Sequence, residues 1–166
     1  LWLWYNCSDN HAQGKTPAGR LQTRETRERE MIWLKNIGVT GIKVNFSGYD
    51  DQKSFSLYEE LLRDANTYEL AVNFHGSVLP RGWERMFPNL LSAEADMGME
   101  YAMRNADFEN KRASHSVMLA YTRNVVAPVD FTPLVLKNSW TNEKGELINR
   151  STTMAFELSS PIVLCS

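Results

Sequence analysis

Gly41-Ile42-Lys43-Val44-Asn45-Phe46 is a β-branched apolar run that ends on polar groups, immediately before the turn-rich Ser47-Gly48-Tyr49-Asp50-Asp51. Its length and composition predict a buried strand. Outward from it, helix-period text lies on both sides, Glu25 to Asn36 before and Ser54 to Glu69 after. The next apolar run, Leu70 to Phe74, also ends on polar residues, His75 and Gly76. Strand, helix, strand in that order is the signature of a parallel α/β sheet whose strands share one carboxyl edge. In parallel barrels and open α/β sheets that edge carries the chemistry, so Lys43, Asn45 and His75 are the first candidate functional residues.

The alternation extends in both directions. Leu1 to Asn6 reads as a strand, followed by a loop from Cys7 to Gly19 that holds His11. Thr23 or Thr26 is placed to cap the first helix and Gly38 to end it. Phe55, Tyr58, Leu61, Leu62, Ala65 and Tyr68 recur at helical spacing, and Ser56 with Glu59 fits a capping box. Leu79-Pro80-Arg81-Gly82-Trp83-Glu84-Arg85 is a loop suited to packing on a polar ring. Asn89 to Glu94 predicts a short strand ending in an acid, with Glu100 six positions on. A helix over His115 to Asn124, a strand end within Val125 to Pro133, a helix over Thr152 to Ser160 and a strand over Ile162 to Cys165 complete six expected strand ends.

The 166 residues are 43% hydrophobic and 23% charged, an ordinary globular composition able to bury a sizeable core. A formal net charge of −2 and the lack of a dense Lys/Arg cluster argue against a nucleic-acid or anionic-membrane partner. Arg20, Arg24, Arg27 and Arg29, interleaved with Glu25, Glu28 and Glu30, read as a solvated, salt-bridged helix face. Cys7 and Cys165, near opposite ends of the chain, read as two buried thiols in preference to a disulfide. No stretch of 18 apolar residues is present, so membrane insertion is not expected. The chain opens within a strand-like run and closes on another, and is expected to be a piece of something longer.

Glu94 and Glu100 admit three readings. Two carboxyl groups over one mouth suit glycoside hydrolysis, because an acetal leaving group needs an acid to protonate it and a base or nucleophile opposite. The same oxygens suit part of a Ca²⁺ shell. They also suit plain solvation. No second histidine stands at ligand spacing from His75, which argues against zinc. No phosphate-binding glycine pattern or GxSxG elbow occurs.

Five runs in order, Leu1 to Asn6, Gly38 to Phe46, Asn73 to Gly76, Leu79 to Arg85 and Pro88 to Glu94, resemble glycoside hydrolase family 97, calcium-dependent α-glucosidases and α-galactosidases. The resemblance implies a (β/α)8 TIM-type barrel of which residues 1–166 are about six βα units, strands three to eight. The family's N-terminal β-sandwich and C-terminal β-domain are then absent from this chain. It further implies Glu100 as general acid/base, Glu94 and Glu100 as calcium ligands, and the position of Asn45 as catalytic nucleophile, an aspartate in the retaining branch. Gly76 fits that branch, because the inverting branch has a glutamate there. Lys43, His75 and Trp83 are implied as contacts to an oligosaccharide substrate, an α-galactoside in preference to an α-glucoside, and a periplasmic or secreted location follows by the same resemblance. Retention implies a separation of about 5 to 6 Å between the side chains of residues 45 and 100.

Asn45 departs from the pattern. An amide oxygen is a poor nucleophile, so turnover is expected to be impaired while binding survives. An Asp→Asn variant made to trap substrate, a natural carbohydrate-binding, non-catalytic homologue, and a shifted register using Asp50 or Asp51 all remain open.

Overall fold

A computed structural model describes residues 1–7, 19–45 and 49–165. His11, with most of the loop expected after the first strand, and Phe46, Ser47 and Gly48 lie outside the described residues. The chain forms two compact units, Leu1–Ala95 and Asp96–Ser166.

The first unit runs β1 (Trp2–Asn6), α1 (Arg24–Asn36), β2 (Gly41–Asn45), α2 (Gln52–Thr67), β3 (Ala71–His75), α3 (Trp83–Met86) and β4 (Leu90–Ala93). Its four strands are parallel in the order β1-β2-β3-β4, so each crossover steps to the adjacent strand. Alternation sends Ile42, Val44, Val72 and Phe74 to one face. There they pack in a single core with Met31 and Leu34 of α1 and Tyr58, Leu61, Leu62 and Ala65 of α2. Both long helices therefore cover the same side of the sheet.

The opposite face carries Trp2, Trp4 and Asn6, then Gly41, Lys43 and Asn45, then Ala71, Asn73 and His75. Trp2 and Trp4 stay 40% and 44% exposed on it. Gly41 lets the Trp2 indole lie over the strand, since a Cβ there would stand 2.4 Å from the ring and displace it.

Local signals account for the helix ends. Thr23 caps α1 in a reciprocal pair with Thr26, and Gly38, at φ +79°, ends it with Val39 N–H donating to Leu34 O (3.0 Å) and Gly38 N–H to Lys35 O (3.1 Å). Asp51 caps α2 by accepting from Ser54 N–H at 2.8 Å, so the helix starts ahead of the expected Ser56–Glu59 box. Asp51 is the earlier side chain able to reach an orphan amide, which leaves Ser56 inside the first turns.

The solvated arginine face needs correction. Arg24–Glu28 and Arg29–Glu25 are exposed pairs, but Arg27 and Glu30 share a helical stripe with Met31 and Leu34 and are buried. Arg27 donates to Asp64 Oδ2 (2.7 Å), Glu60 Oε2 (2.8 Å) and the Leu21 carbonyl (3.2 Å), tying α1 to α2. Glu30 accepts from Tyr5 Oη (2.7 Å) and Arg20 Nη1 (2.6 Å). Burial, then the Glu30 hydrogen bond, push the Tyr5 phenol well above its ordinary pKa.

The second unit holds α4 (Met99–Arg104), α5 (Ala106–Tyr121), an antiparallel hairpin of β5 (Ser139–Thr141) and β6 (Leu147–Asn149), and α6 (Met154–Leu164). Met99, Ala102, Leu119, Val129, Phe131 and Leu164 form its core. Two expected strands are absent there. Residues 122–126 are turn and Val129 makes one bridging bond, N–H to Leu164 O at 2.8 Å, because Pro128 and Pro133 remove ladder donors. Ile162 to Leu164 continue α6 through Pro161, from a cap at Thr153 whose hydroxyl accepts from Phe156 N–H at 3.2 Å. A short apolar run is ambiguous between strand and helix by periodicity, and here the upstream cap decides. Cys7 is buried as expected, whereas Cys165 is exposed. Among the described residues the parallel strands thus number four, beginning at the runs from Leu1, Gly41, Leu70 and Asn89. No helix among them is long and apolar enough to cross a membrane.

Candidate functional site

In-register pairing gathers the polar strand ends. Asn6 of β1, Asn45 of β2 and His75 of β3 are register partners, and all three are buried. The ladder continues past the strands: Cys7 N–H donates to Asn45 O (2.8 Å) and Glu94 N–H to Phe74 O (2.9 Å). That second bond holds Glu94 beside the end of β3. Its Oε2 accepts from Gly76 N–H at 2.5 Å, and its Oε1 stands 3.4 Å from His75 Nε2.

One row back, Trp4, Lys43, Asn73 and Ser92 are partnered across the sheet, with Asn73 Nδ2 donating to Ser92 Oγ at 2.6 Å. Lys43 is half-buried, on the same face as Asn45. The edge of the first unit is therefore a sheltered patch of amides, an imidazole and a carboxylate, with an ammonium and an indole behind it. Such a patch can hydrogen-bond the hydroxyls of a polar, uncharged ligand.

Trp83 is placed elsewhere. It is 3% exposed, within the core on the helix side, stacked on Tyr58 at 4.8 Å between ring centroids and an interplanar angle of 10°. Phe55 packs on it at 5.6 Å. The structure does not bring Trp83 to the polar edge; the aromatic stack holds α2 and α3 against the sheet. Asp51 caps α2 and Asp50 pairs with Arg81 at 3.1 Å, so both turn acids have structural partners.

Glu100 belongs to the second unit, in the first turn of α4, where its N–H donates to Thr132 O at 3.2 Å. Its side chain is 48% exposed and stands 4.0 Å from Arg104 Nη2. A carboxyl so placed can exchange a proton with a ligand at the surface of its unit. Among the described residues no three His, Cys, Asp or Glu side chains gather as a cation shell. Glu94, in the first unit, and Glu100, in the second, each carry the hard oxygens calcium prefers.

Sequence reasoning missed Asn6, Asn73 and Ser92 as members of this face. The signal was strand register, which composition does not carry.

A family model described as Glycoside hydrolase 97 matches residues 1–96. A probable retaining α-galactosidase of Streptomyces bingchenggensis is 35% identical over 113 residues, 68% of this chain and 17% of that protein. A retaining α-galactosidase of Bacteroides thetaiotaomicron is 30% identical over 103 residues, 62% of this chain and 15% of that protein. Among solved structures, a β-arabinopyranosidase superposes with a TM-score of 0.87 at 38% identity, over 99% of this chain and 26% of the other. A family 97 enzyme from Pseudoalteromonas sp. strain K8, in complex with panose, superposes at 0.67 with 20% identity, a likeness of fold. The chain spans about a sixth of the curated relatives it matches and about a quarter of the solved ones.

Proposed function

The chain belongs to glycoside hydrolase family 97, and from that premise we propose that it is part of the catalytic barrel of a retaining α-glycosidase acting on galactoside-like sugars, with turnover impaired by Asn45. The observation that carries the reading is the edge itself: Asn45 is sheltered between Asn6 and His75, with Lys43 on its own face and Glu94, just past β4, beside His75. The sequential strand order and the two long helices on one side support a barrel wall, since a doubly wound sheet carries helices on both faces. The longer enzyme would add the remaining strands, an N-terminal β-sandwich and a C-terminal β-domain, and would work in the periplasm or outside the cell.

In this proposal Glu100 protonates the glycosidic oxygen as the bond to the anomeric carbon breaks. The side chain at position 45 attacks from the opposite face, and Glu100 then takes a proton from the water that releases the sugar. Lys43 and His75 hydrogen-bond hydroxyls of the bound ring. With an amide at position 45 the covalent step lacks its nucleophile and the transition state lacks its counter-charge, a loss of several powers of ten, on the order of 10³ or more. Binding is retained because the amide is nearly isosteric with the acid.

Glu94 and Glu100 are proposed to supply part of a Ca²⁺ shell. The ion would supply fixed positive charge beside the substrate.

The substrate proposal rests on the relatives' names. Two relatives are named retaining α-galactosidases and one solved neighbour a β-arabinopyranosidase; in the L series a β-arabinopyranoside has the ring stereochemistry of an α-D-galactopyranoside without the C6 hydroxymethyl, so one ring configuration would suit both. The amide at position 45 also favours a second reading, a carbohydrate-binding homologue that never turns over. Asn45→Asp in the complete protein separates them, assayed with Ca²⁺ on α-galactoside, β-L-arabinopyranoside and α-glucoside. Hydrolysis of one of the first two supports the enzyme reading. Binding of the sugars with no turnover in that variant removes position 45 as nucleophile.

A further inference from the structure

The run from Leu79 to Arg85 sends its tryptophan into the core and leaves its first arginine between two loops that follow strands of the first unit. Arg81 Nη2 donates to Asp50 Oδ1 and Oδ2, each at 3.1 Å, and its guanidinium lies over the Phe55 ring, 5.6 Å from the centroid. Asp50 belongs to the turn between position 45 and α2, and Arg81 to the loop between His75 and α3. The two loops are held differently. Behind Arg81, Phe55 packs on Trp83 (5.6 Å), Trp83 on Tyr58 (4.8 Å) and Tyr58 edge-on against Phe74 of β3 (4.4 Å), while Tyr58 Oη accepts from Val78 N–H at 3.3 Å. That succession of rings fixes the β3–α3 loop from the core outward. Within the β2–α2 turn, Tyr49 N–H donates to Ser54 Oγ and Asp51 N–H to Tyr49 O, both at 2.9 Å. Tyr49 is 78% exposed and the Asp50 side chain 63%, so little burial holds this turn, and segments of that kind open most readily.

We propose that Arg81 is a positioning residue for sugar binding: it ties the weakly held turn that leaves position 45 to the firmly held loop that leaves His75. The inference rests on the reading of this edge as a sugar site. Loops at such an edge carry binding, and a loop ordered in advance spares the ligand the cost of ordering it. The guanidinium suits the task because it is planar and always charged, so it lies on Phe55 while donating to Asp50. An ion pair this exposed adds little to global stability, so its effect is local to the turn.

The test uses the complete protein with Asn45 as it stands, so that binding is read without hydrolysis, and combines isothermal titration with methyl α-galactoside and amide hydrogen exchange. Arg81→Met keeps an apolar stem over Phe55 and removes the donor. It should weaken the sugar roughly three- to tenfold and speed exchange of the Tyr49 and Asp51 amides several-fold. The thermal midpoint should move by about 2 °C or less. Asp50→Asn should reproduce these effects, and the double variant should be no worse than either single one, because each removes the same contact. Unchanged sugar affinity in Arg81→Met overturns the positioning role while the galactoside reading stands. So do unchanged Tyr49 and Asp51 exchange, additive losses in the double variant, or a midpoint that falls by many degrees with affinity kept, the mark of a purely structural residue. If the unsubstituted protein binds no methyl α-galactoside, the galactoside reading fails and takes the positioning role with it.

Discussion

Replacing Arg112 by methionine should destabilise the second unit by about 3–5 kcal/mol, the cost of stranding buried partners by deleting one member of an ion pair. The guanidinium is 0% exposed, and the carboxylates it serves, Glu109 and Glu157, are 1% and 2% exposed. Its Nε donates to Glu109 Oε2 at 2.6 Å, and its Nη2 to Glu157 Oε1 at 2.5 Å, Thr152 Oγ1 at 2.9 Å and Glu109 Oε1 at 3.2 Å. One cation thus joins α5 to α6 and to the segment between β6 and α6. Methionine matches the stem in bulk, so the loss is electrostatic, with little cavity formed. Burial works against the charge, but the hydrogen bonds of Glu109 and Glu157 outweigh it and hold the Arg112 pKa above its ordinary value. A cation whose folded pKa is raised contributes in full below its unfolded pKa, so the whole effect is present at neutral pH. Amide hydrogen exchange across α5 and α6 is the assay. A loss of about 4 kcal/mol lowers protection by about 10³ in a globally exchanging amide. The triple variant R112M/E109Q/E157Q removes all three charges and should recover much of the loss. A single variant costing under about 1 kcal/mol, or a triple variant no better than the single, refutes the reasoning.

Gly41→Ala places a methyl 2.4 Å from the Trp2 indole and should cost about 1–3 kcal/mol by thermal denaturation; adding Trp2→Ala should recover most of it. Burial lowers the His115 pKa, against the opposing Met97 carbonyl, so the unfolded chain binds the proton more readily and stability should fall as pH drops below about 6.5; His115→Gln should flatten that slope in denaturant titrations. Hydrogen bonding from Ser54 lowers the Asp51 pKa, so the charged cap is complete above the unfolded value near 3.9 and is lost as pH falls through the lower folded one. By NMR the Ser54 amide should therefore shift with acid titration, and Asp51→Asn should abolish the shift.

The parallel scaffold was legible where local chemistry and tertiary packing agree. Gly41 to Asn45 forms β2 because a β-branched run between two capped helices has one way to bury both its faces, and Gly38 ends α1 by a conformation few other residues adopt. Arg27 was misread because charge patterning ignores phase: its spacing to Met31 and Leu34 puts it inside, where two carboxylates of α2 meet it. Ile162 to Leu164 carried β-branched weight, yet the Thr153 cap had already committed the segment to helix. The β5–β6 hairpin is hard to read in the sequence because its strands, Ser139–Thr141 and Leu147–Asn149, are three residues each, although Asn142 and Gly145 bracket a turn between them. For the candidate site, strand ends named Lys43, Asn45, His75 and Glu94. Adding Asn6, Asn73 and Ser92, and removing Trp83 to the core, required the register and the sidedness that only the folded sheet supplies.

The central claim, that position 45 is the nucleophile of a retaining mechanism, is tested most directly by the anomeric configuration of the first product. Asn45→Asp in the complete protein, followed by proton NMR from the first minutes of α-galactoside hydrolysis, should show the α-anomer of the free sugar appearing before mutarotation. Initial release of the β-anomer, or no release at all from a variant that still binds the sugar, contradicts the account.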